Sequence, residues 1–83
     1  ETNNATNHPP STVNLELDDR VVIRGTKYGT LKYIGKFHLE NGTWCGIKLD
    51  DPSGKHDGKV GGMRYFKCQH RYGVLAPLHD VEK

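Results

Sequence analysis

The residues in this chain best suited to chemistry are two cysteines and five histidines, set among lysines and glycines. Cys45, His56, Cys68 and His70 are of the types that bind zinc, but the Cys-x-x-Cys pair common in such sites is missing. A nucleophilic centre would need a cysteine or serine beside a histidine and an orienting acid. Nothing in the spacing brings Cys45 and His56 together. We therefore expect no metal site, no cofactor and no enzyme.

One segment, residues 53–62 with the sequence SGKHDGKVGG, is dense in glycine and charge. A phosphate-binding loop needs G-x-x-x-x-G-K, then Ser or Thr, and it opens a helix. Here Gly54-Lys55 is followed by His56, and no helical pattern follows. A loop this long inside a small domain is more often functional than accidental. We therefore expect an exposed loop with a functional role.

The rest of the chain shows the period of β-strands. Short runs rich in β-branched and aromatic residues alternate with turn residues at roughly ten-residue spacing, and no stretch has the apolar period of a surface helix. The predicted strands cover residues 21–23, 30–34, 44–49, 63–68 and 73–76. This pattern predicts an all-β fold, a small antiparallel sheet curled into a barrel or sandwich.

Charge is distributed unevenly and marks a boundary near residue 18. Residues 1–18 contain three acids and no Lys or Arg, whereas residues 19–83 contain twelve Lys and Arg against seven acids, a formal charge of +5. The first segment has few apolar groups to bury, so we expect a flexible leader over residues 1–18 and a folded domain over residues 19–83. No apolar run is long enough to cross a bilayer, and two cysteines without a disulfide framework favour a reduced cytoplasmic setting.

Two long segments resemble the CAP-Gly domain of cytoskeleton-associated proteins. They are residues 35–47, GKFHLENGTWCGI, and residues 54–68, GKHDGKVGGMRYFKC. The resemblance extends from about residue 19 to residue 81. The family includes cytoplasmic linker proteins, the large subunit of dynactin and tubulin-folding cofactors.

The resemblance implies a fold and a function. It implies an SH3-like antiparallel barrel with a groove beside the GKHDG loop. It also implies a non-catalytic module that binds acidic C-terminal Glu-Glu-Tyr or Glu-Glu-Phe tails of α-tubulin and end-binding proteins. Such a module would link its parent protein to microtubules in the cytoplasm.

The same resemblance assigns roles to particular residues. Lys55 would supply positive charge to the acidic tail, and aromatic side chains would form a slot for the terminal ring. Asp57 is expected to cap loop amides, as aspartate does in turns. The implied peptide-binding residues are Tyr33, Leu39, Trp44, Lys55, His56, Asp57, Phe66 and Leu75. The implied structural glycines of the loop are Gly54, Gly58, Gly61 and Gly62.

Three positions depart from the family pattern. Leu39 and Leu75 stand where aromatics are usual, and His56 stands where Asn is usual. We expect His56 to face the acidic ligand and to gain a proton as the pH falls, which would strengthen binding. Two alternatives stay open. The fold could recruit a non-tubulin internal or proline-rich peptide, or a basic β-barrel could bind single-stranded nucleic acid by stacking.

Overall fold

The computed structural model describes residues 15–83, which form seven strands and one 3-10 turn. The strands are β1 (Arg20–Ile23), β2 (Lys27–Phe37), β3 (Glu40–Leu49), β4 (Lys59–Val60), β5 (Met63–Arg64), β6 (Gly73–Pro77) and β7 (Val81–Glu82), and the 3-10 turn is Leu78–Asp80. Five strands form one antiparallel sheet in the order β6-β3-β2-β1-β7, while β4 and β5 form a separate hairpin. The all-β antiparallel prediction is confirmed. Within the described part of the chain, no helix has the length and apolar character needed to cross a membrane.

The long hairpin of β2 and β3 is the framework of the sheet. Its register runs from Gly29 opposite Leu49 to Phe37 opposite Glu40, with irregularities between Leu31 and Tyr33 and between Lys36 and Phe37. Such irregularities bend a strand and increase its twist. Both strands are longer than predicted, because their ends carry polar residues that hide the β pattern in the sequence.

One face of the sheet carries the hydrophobic core. Alternate residues along each strand point to this face, as the period of two requires. The core comprises Val21, Ile23, Leu31, Cys45, Ile47, Leu49, Ala76 and Val81. Cys45 is a free cysteine that is fully buried among these residues as a small apolar side chain, and burial raises the pKa of its thiol to about 11.

The opposite face of the sheet carries a second packing centre. Gly46 on β3 pairs with Tyr33 on β2 and with Leu75 on β6, so these three residues share that face. Phe66 is buried over Gly46 and is separate from the core cluster. A Cβ atom on Gly46 would lie 2.6 Å from Cε1 of Phe66 and 3.0 Å from Cβ of Tyr33. Only glycine lets the Phe66 ring approach the sheet this closely.

Two sequence-based assignments in the C-terminal half are corrected by the structure. The strand predicted over residues 63–68 stops at Arg64, because the amides of Tyr65 and Phe66 donate to the carbonyl of Gly58 instead of to a neighbouring strand. The segment 53–62, expected to be an exposed loop, contains β4, and Gly58 within it is buried. The last turn and β7 were not predicted, since they are too short to show a period.

The N-terminal boundary also lies earlier than residue 19. Leu15 is half-buried against the core cluster, and the Asp18 amide donates to the Leu31 carbonyl at 2.7 Å. The last residues of the predicted leader are therefore part of the folded unit. The prediction for residues 1–14 lies outside the described residues.

We expect Leu15→Ala to cost about 1 kcal/mol of unfolding free energy, since a half-buried leucine loses part of the roughly 1.5–3 kcal/mol of a fully buried one. For a domain of this size that lowers Tm by about 4–8 °C. Leu17 is 56% exposed and provides the matched control, so Leu17→Ala should change Tm by much less. Thermal unfolding followed by circular dichroism measures both variants. Equal shifts for the two would contradict the packing of Leu15.

We expect Gly46→Ala to destabilise the fold by about 1–3 kcal/mol, because the new methyl group overlaps the Phe66 ring. Urea denaturation measures the change. In a Phe66→Leu background the same substitution should cost less, since the smaller side chain can retreat. If Gly46→Ala were as stable as the parent chain, the close approach of the Phe66 ring to Gly46 would not contribute to the stability of the fold.

Candidate functional site

A row of aromatic side chains extends from Tyr33 toward the β2–β3 turn. The rings of Tyr33 and Tyr65 have centroids 5.1 Å apart, those of Tyr65 and Phe37 are 5.6 Å apart, and those of Phe37 and Trp44 are 5.1 Å apart. The tilted and edge-on geometries are the ones that aromatic pairs prefer. Tyr33, Phe37, Trp44 and Tyr65 are all half-buried, so the row is accessible to a ligand. We call these four residues the aromatic row.

Hydrogen bonds fix the polar ends of the aromatic row. The Trp44 indole Nε1 donates to the Asn41 carbonyl at 2.9 Å, and the Tyr33 hydroxyl donates to the Lys36 carbonyl. The hydroxyl of Tyr65 accepts from the His38 amide at 2.9 Å and also contacts Nδ1 of that residue. Rings whose polar ends are already hydrogen-bonded lose little further conformational entropy when a ligand packs against them.

The loop of residues 54–58 is attached to the edge strand β6. The amides of Lys55 and His56 donate to the Gly73 carbonyl at 2.9 and 3.2 Å, and the Gly73 amide donates to the His56 carbonyl at 2.8 Å. Gly58 ends this loop with φ of +102°, a conformation that disfavours other residues. A Cβ atom there would lie 2.1 Å from the carbonyl oxygen of Phe66, so the position requires glycine.

The side chain of His56 is turned toward the protein. Its Nδ1 accepts a hydrogen bond from the Gly58 amide at 2.9 Å, and its ring meets Phe66 edge-on with centroids 6.1 Å apart. Burial lowers the pKa of His56, and the nearby Asp57 carboxylate opposes this effect. An Nδ1 that accepts a hydrogen bond carries no proton, so the ring is neutral with its hydrogen on Nε2.

Asp57 and Arg64 connect the loop to β5. One carboxylate oxygen of Asp57 accepts from the Lys59 amide at 3.2 Å, which confirms the predicted capping contact. The Arg64 guanidinium lies 3.6 Å from the other oxygen and donates to the Phe66 carbonyl at 3.0 Å. The Lys59 amide chiefly, and Arg64 to a lesser degree, hold the pKa of Asp57 below its usual value. Arg64 therefore links the Asp57 carboxylate of the loop to the backbone carbonyl of Phe66.

Several exposed lysines have no acidic partner among the residues that the structure describes. Most other cations near the sheet are paired, such as Arg20 with Asp50 and Lys32 with Asp18. The unpaired, exposed lysines are Lys27, Lys36, Lys48, Lys55, Lys59 and Lys67. Lys55 and Lys59 belong to the loop and to β4, so the loop side of the molecule carries uncompensated positive charge.

The structure places several of the sequence-predicted site residues around Gly46 and along the aromatic row. The His56 ring meets Phe66, which lies over Gly46, and Tyr33 pairs with Gly46 and begins the aromatic row that ends at Trp44. Leu75 lies beside Gly46 on the same face. Leu39 is 58% exposed at the β2–β3 turn, and its side chain closely approaches Gly61 of the β4–β5 turn.

Sequence reasoning did not assign site roles to Phe37, His38, Arg64 and Tyr65. The alternation of Tyr33, Gly35 and Phe37 along β2 is a signal that could have identified Phe37. No comparable signal marks Arg64, because its role depends on the fold of the loop that it contacts.

Two open clefts flank the β2–β3 turn. One, of about 670 Å³, is lined by residues 36–43, and the other, of about 490 Å³, is lined by residues 41–44 and 77–79. Leu39 and Trp44 border these clefts, whereas Lys55 and His56 do not. The aromatic row therefore extends from Tyr33 toward the two clefts and ends at Trp44, which lines the second of them.

Comparisons with known proteins agree with this geometry. A family model described as the CAP-Gly domain matches residues 17–81. CAP-Gly domain-containing linker protein 3 of Mus musculus is 45% identical over 73 residues, which are 88% of this chain and 13% of that protein. The Restin homolog of Drosophila melanogaster is 43% identical over 70 residues, 81% of this chain and 4% of the relative. This chain therefore spans only a small part of the relatives it matches.

Solved structures resemble the fold described above. The solution structure of the CAP-Gly domain in human kinesin-like protein KIF13B aligns with a TM-score of 0.77 and 39% identity, over 83% of this chain and 69% of that one. A structure of the Bik1 CAP-Gly domain with an ETF peptide from Bim1 aligns with a TM-score of 0.70 and 28% identity, over 77% and 78% of the two chains. With the family model covering nearly all of the described residues, these similarities show that the chain belongs to the CAP-Gly domain family.

Proposed function

We propose that this domain binds acidic C-terminal tails ending in Glu-Glu-Tyr or Glu-Glu-Phe, as in α-tubulin and end-binding proteins, without catalysing a reaction. Its parent protein is thereby attached to microtubules in the cytoplasm. The observation that carries the proposal is one face of the sheet on which the aromatic row runs to Trp44 and on which Phe66, lying over Gly46, packs against His56 of the lysine-bearing loop. This arrangement offers charge at one end and apolar surface along its length.

The aromatic row suits the terminal ring of such a tail. A phenyl or phenol ring placed against half-buried aromatics gains the burial of its own area and about 0.5–1.5 kcal/mol from ring-to-ring geometry. The rings of the row are already held by hydrogen bonds and by one another, which reduces the entropy lost on binding.

The unpaired lysines suit the acidic residues of the tail. Charge-assisted hydrogen bonds from lysine to carboxylate are about twice as strong as neutral ones. Lys55 and Lys59 are exposed and have no salt bridge with any described residue, so neither needs to leave an internal partner to bind a ligand. The surplus of positive charge over residues 19–83 also speeds encounter with acidic chain ends.

The structural neighbour with a bound peptide supports this ligand class. The letters ETF denote Glu-Thr-Phe, an acidic residue followed two positions later by an aromatic. A tail of that chemistry has the two features that the loop and the aromatic row complement. The ligand of the Bik1 domain is thus a reasonable guide to the ligand of this one.

The chemical state of the possible nucleophiles supports a binding role. Cys45 lies in the core on the face opposite the aromatic row, with its thiol pKa raised by burial. Burial also raises the pKa of Cys68, and the Asp57 charge adds to that effect. A thiol with a raised pKa holds its proton at neutral pH and is a poor nucleophile.

We expect a peptide ending in Glu-Glu-Tyr with a free carboxylate to bind and to change the fluorescence of Trp44, the sole tryptophan. The same peptide with an amidated C-terminus should bind at least tenfold more weakly, because the terminal negative charge is gone. Isothermal titration calorimetry and tryptophan emission measure the two peptides in parallel. Equal affinity for both would favour recognition of an internal peptide segment, and single-stranded nucleic acid in a third titration tests the stacking alternative.

We expect Lys55→Ala to weaken peptide binding by about three- to tenfold and to leave Tm nearly unchanged, since its side chain is exposed. Lys27→Ala is the matched control, because Lys27 is also exposed and unpaired but begins β2 at the opposite end of the hairpin from Trp44. The effect of Lys55→Ala should shrink as salt is raised. Equal losses for both variants would mean that the attraction is diffuse and not directed to the loop.

A further inference from the structure

The loop histidine is engaged inside the protein before any ligand arrives. The Gly58 amide donates to His56 Nδ1, the imidazole packs edge-on against Phe66, and the backbone of the residue is paired with Gly73 on β6. With its backbone fixed on β6 and its ring held by one hydrogen bond and one aromatic contact, the side chain has little freedom to turn outward. The expectation that this ring faces the peptide therefore does not match its environment.

Gly58 explains why the loop needs such an acceptor. With φ of +102°, the residue is buried against the carbonyl of Phe66. A buried amide without a hydrogen-bond partner costs about 1–3 kcal/mol, so its acceptor decides whether this turn is stable. In the structure that acceptor is His56 Nδ1, two residues earlier. This is the same local pattern by which Asn or Asp side chains close an Asx turn.

We propose that His56 is a positioning residue: its neutral Nδ1 holds the Gly58 amide and fixes the turn that presents Lys55, and peptide affinity depends on this hydrogen bond. The inference rests on the peptide-binding function proposed above. It assigns His56 to the support of the site and not to contact with the ligand. It also reverses the direction of pH dependence expected from the sequence.

Protonation removes the hydrogen bond, because an imidazolium has N–H groups on both nitrogens and cannot accept one. The pKa of His56 is lowered, first by burial, with Asp57 opposing. A folded-state pKa below the unfolded value of about 6.5 means that the stabilisation is complete above that pH and is lost as the pH falls through the folded value. Peptide affinity should therefore fall, not rise, on acidification.

Two titratable groups beside the ring have pKa values shifted away from this pH range. The Asp57 carboxylate has a lowered pKa and stays ionised, and the Cys68 thiol has a raised pKa and stays protonated. The cationic residues on the neighbouring segments are Lys48 on β3, Lys55 beside the histidine, Arg64 on β5, and Arg71, whose amide donates to the His56 carbonyl.

Three variants separate positioning from contact, each measured with the free-carboxylate Glu-Glu-Tyr peptide at pH 7.5 and 5.5 and at fixed salt. His56→Asn keeps an acceptor for the Gly58 amide but does not titrate, so it should bind within about twofold of the parent chain at pH 7.5. His56→Ala removes the acceptor and should bind about fivefold more weakly. His70→Asn, at an exposed histidine, is the control and should behave as the parent chain.

The pH slopes decide between the two roles. The parent chain should lose at least about twofold in affinity from pH 7.5 to 5.5, while His56→Asn should lose much less. Peptide glutamates, with pKa values near 4.3, remain mostly ionised in this range. Affinity that rises on acidification in the parent chain, and no longer rises in His56→Asn, would overturn the proposal and identify His56 as a ligand contact. Equal binding by His56→Ala and the parent chain would also overturn it.

A measurement without peptide tests the hydrogen bond itself. The amide signal of Gly58 in a ¹⁵N–¹H NMR spectrum should move with the titration of the His56 ring in the parent chain and stay fixed in His56→Asn. A Gly58 amide whose chemical shift does not change as the His56 ring titrates would overturn the proposal. If no variant binds the peptide while Gly58 still follows the ring, the proposed function fails and the hydrogen bond stands.

Discussion

The contact on which the site depends is the close approach of the Phe66 ring to Gly46. A sheet of this size has a core on one face only, and its other face would ordinarily be left to water. The missing side chain at Gly46 makes room for a buried ring outside that core. The ring meets His56 edge-on, and Gly46 beneath it pairs with Tyr33 on the neighbouring strand, so this contact packs the loop against the sheet.

The loop is ordered by main-chain contacts more than by its charges. Its amides and carbonyls pair with Gly73 on β6 and with the segment after β5, and Gly58 turns under Phe66. Because main-chain hydrogen bonds order the loop, its lysine side chains are not needed to hold the fold and are available to a ligand. A surface built this way can be strongly basic and still rigid, since the charges do not hold the fold together.

The sequence pointed to several residues that the fold brings together, but not to their geometry. Tyr33, Trp44 and Leu75 share one face of the sheet, and Phe66 lies over Gly46 on that face beside the loop. The inward orientation of His56 could not be predicted, because it depends on a buried ring and a glycine amide supplied by the folded loop. The extent of the strand near Arg64 was also wrong, since local β pattern does not show where a chain leaves the sheet.

By itself, the sequence determined the all-β class, the main strands, the need for glycine in the loop and the excess of positive charge. These follow from period, turn residues and composition, which are local properties of the chain. Only the tertiary structure decided that Leu15 belongs to the folded unit, that Phe66 lies over Gly46 and that Arg64 joins Asp57 to the backbone of Phe66. Most of these contacts join residues far apart in sequence, and their geometry is set by how the segments pack, which no local pattern records.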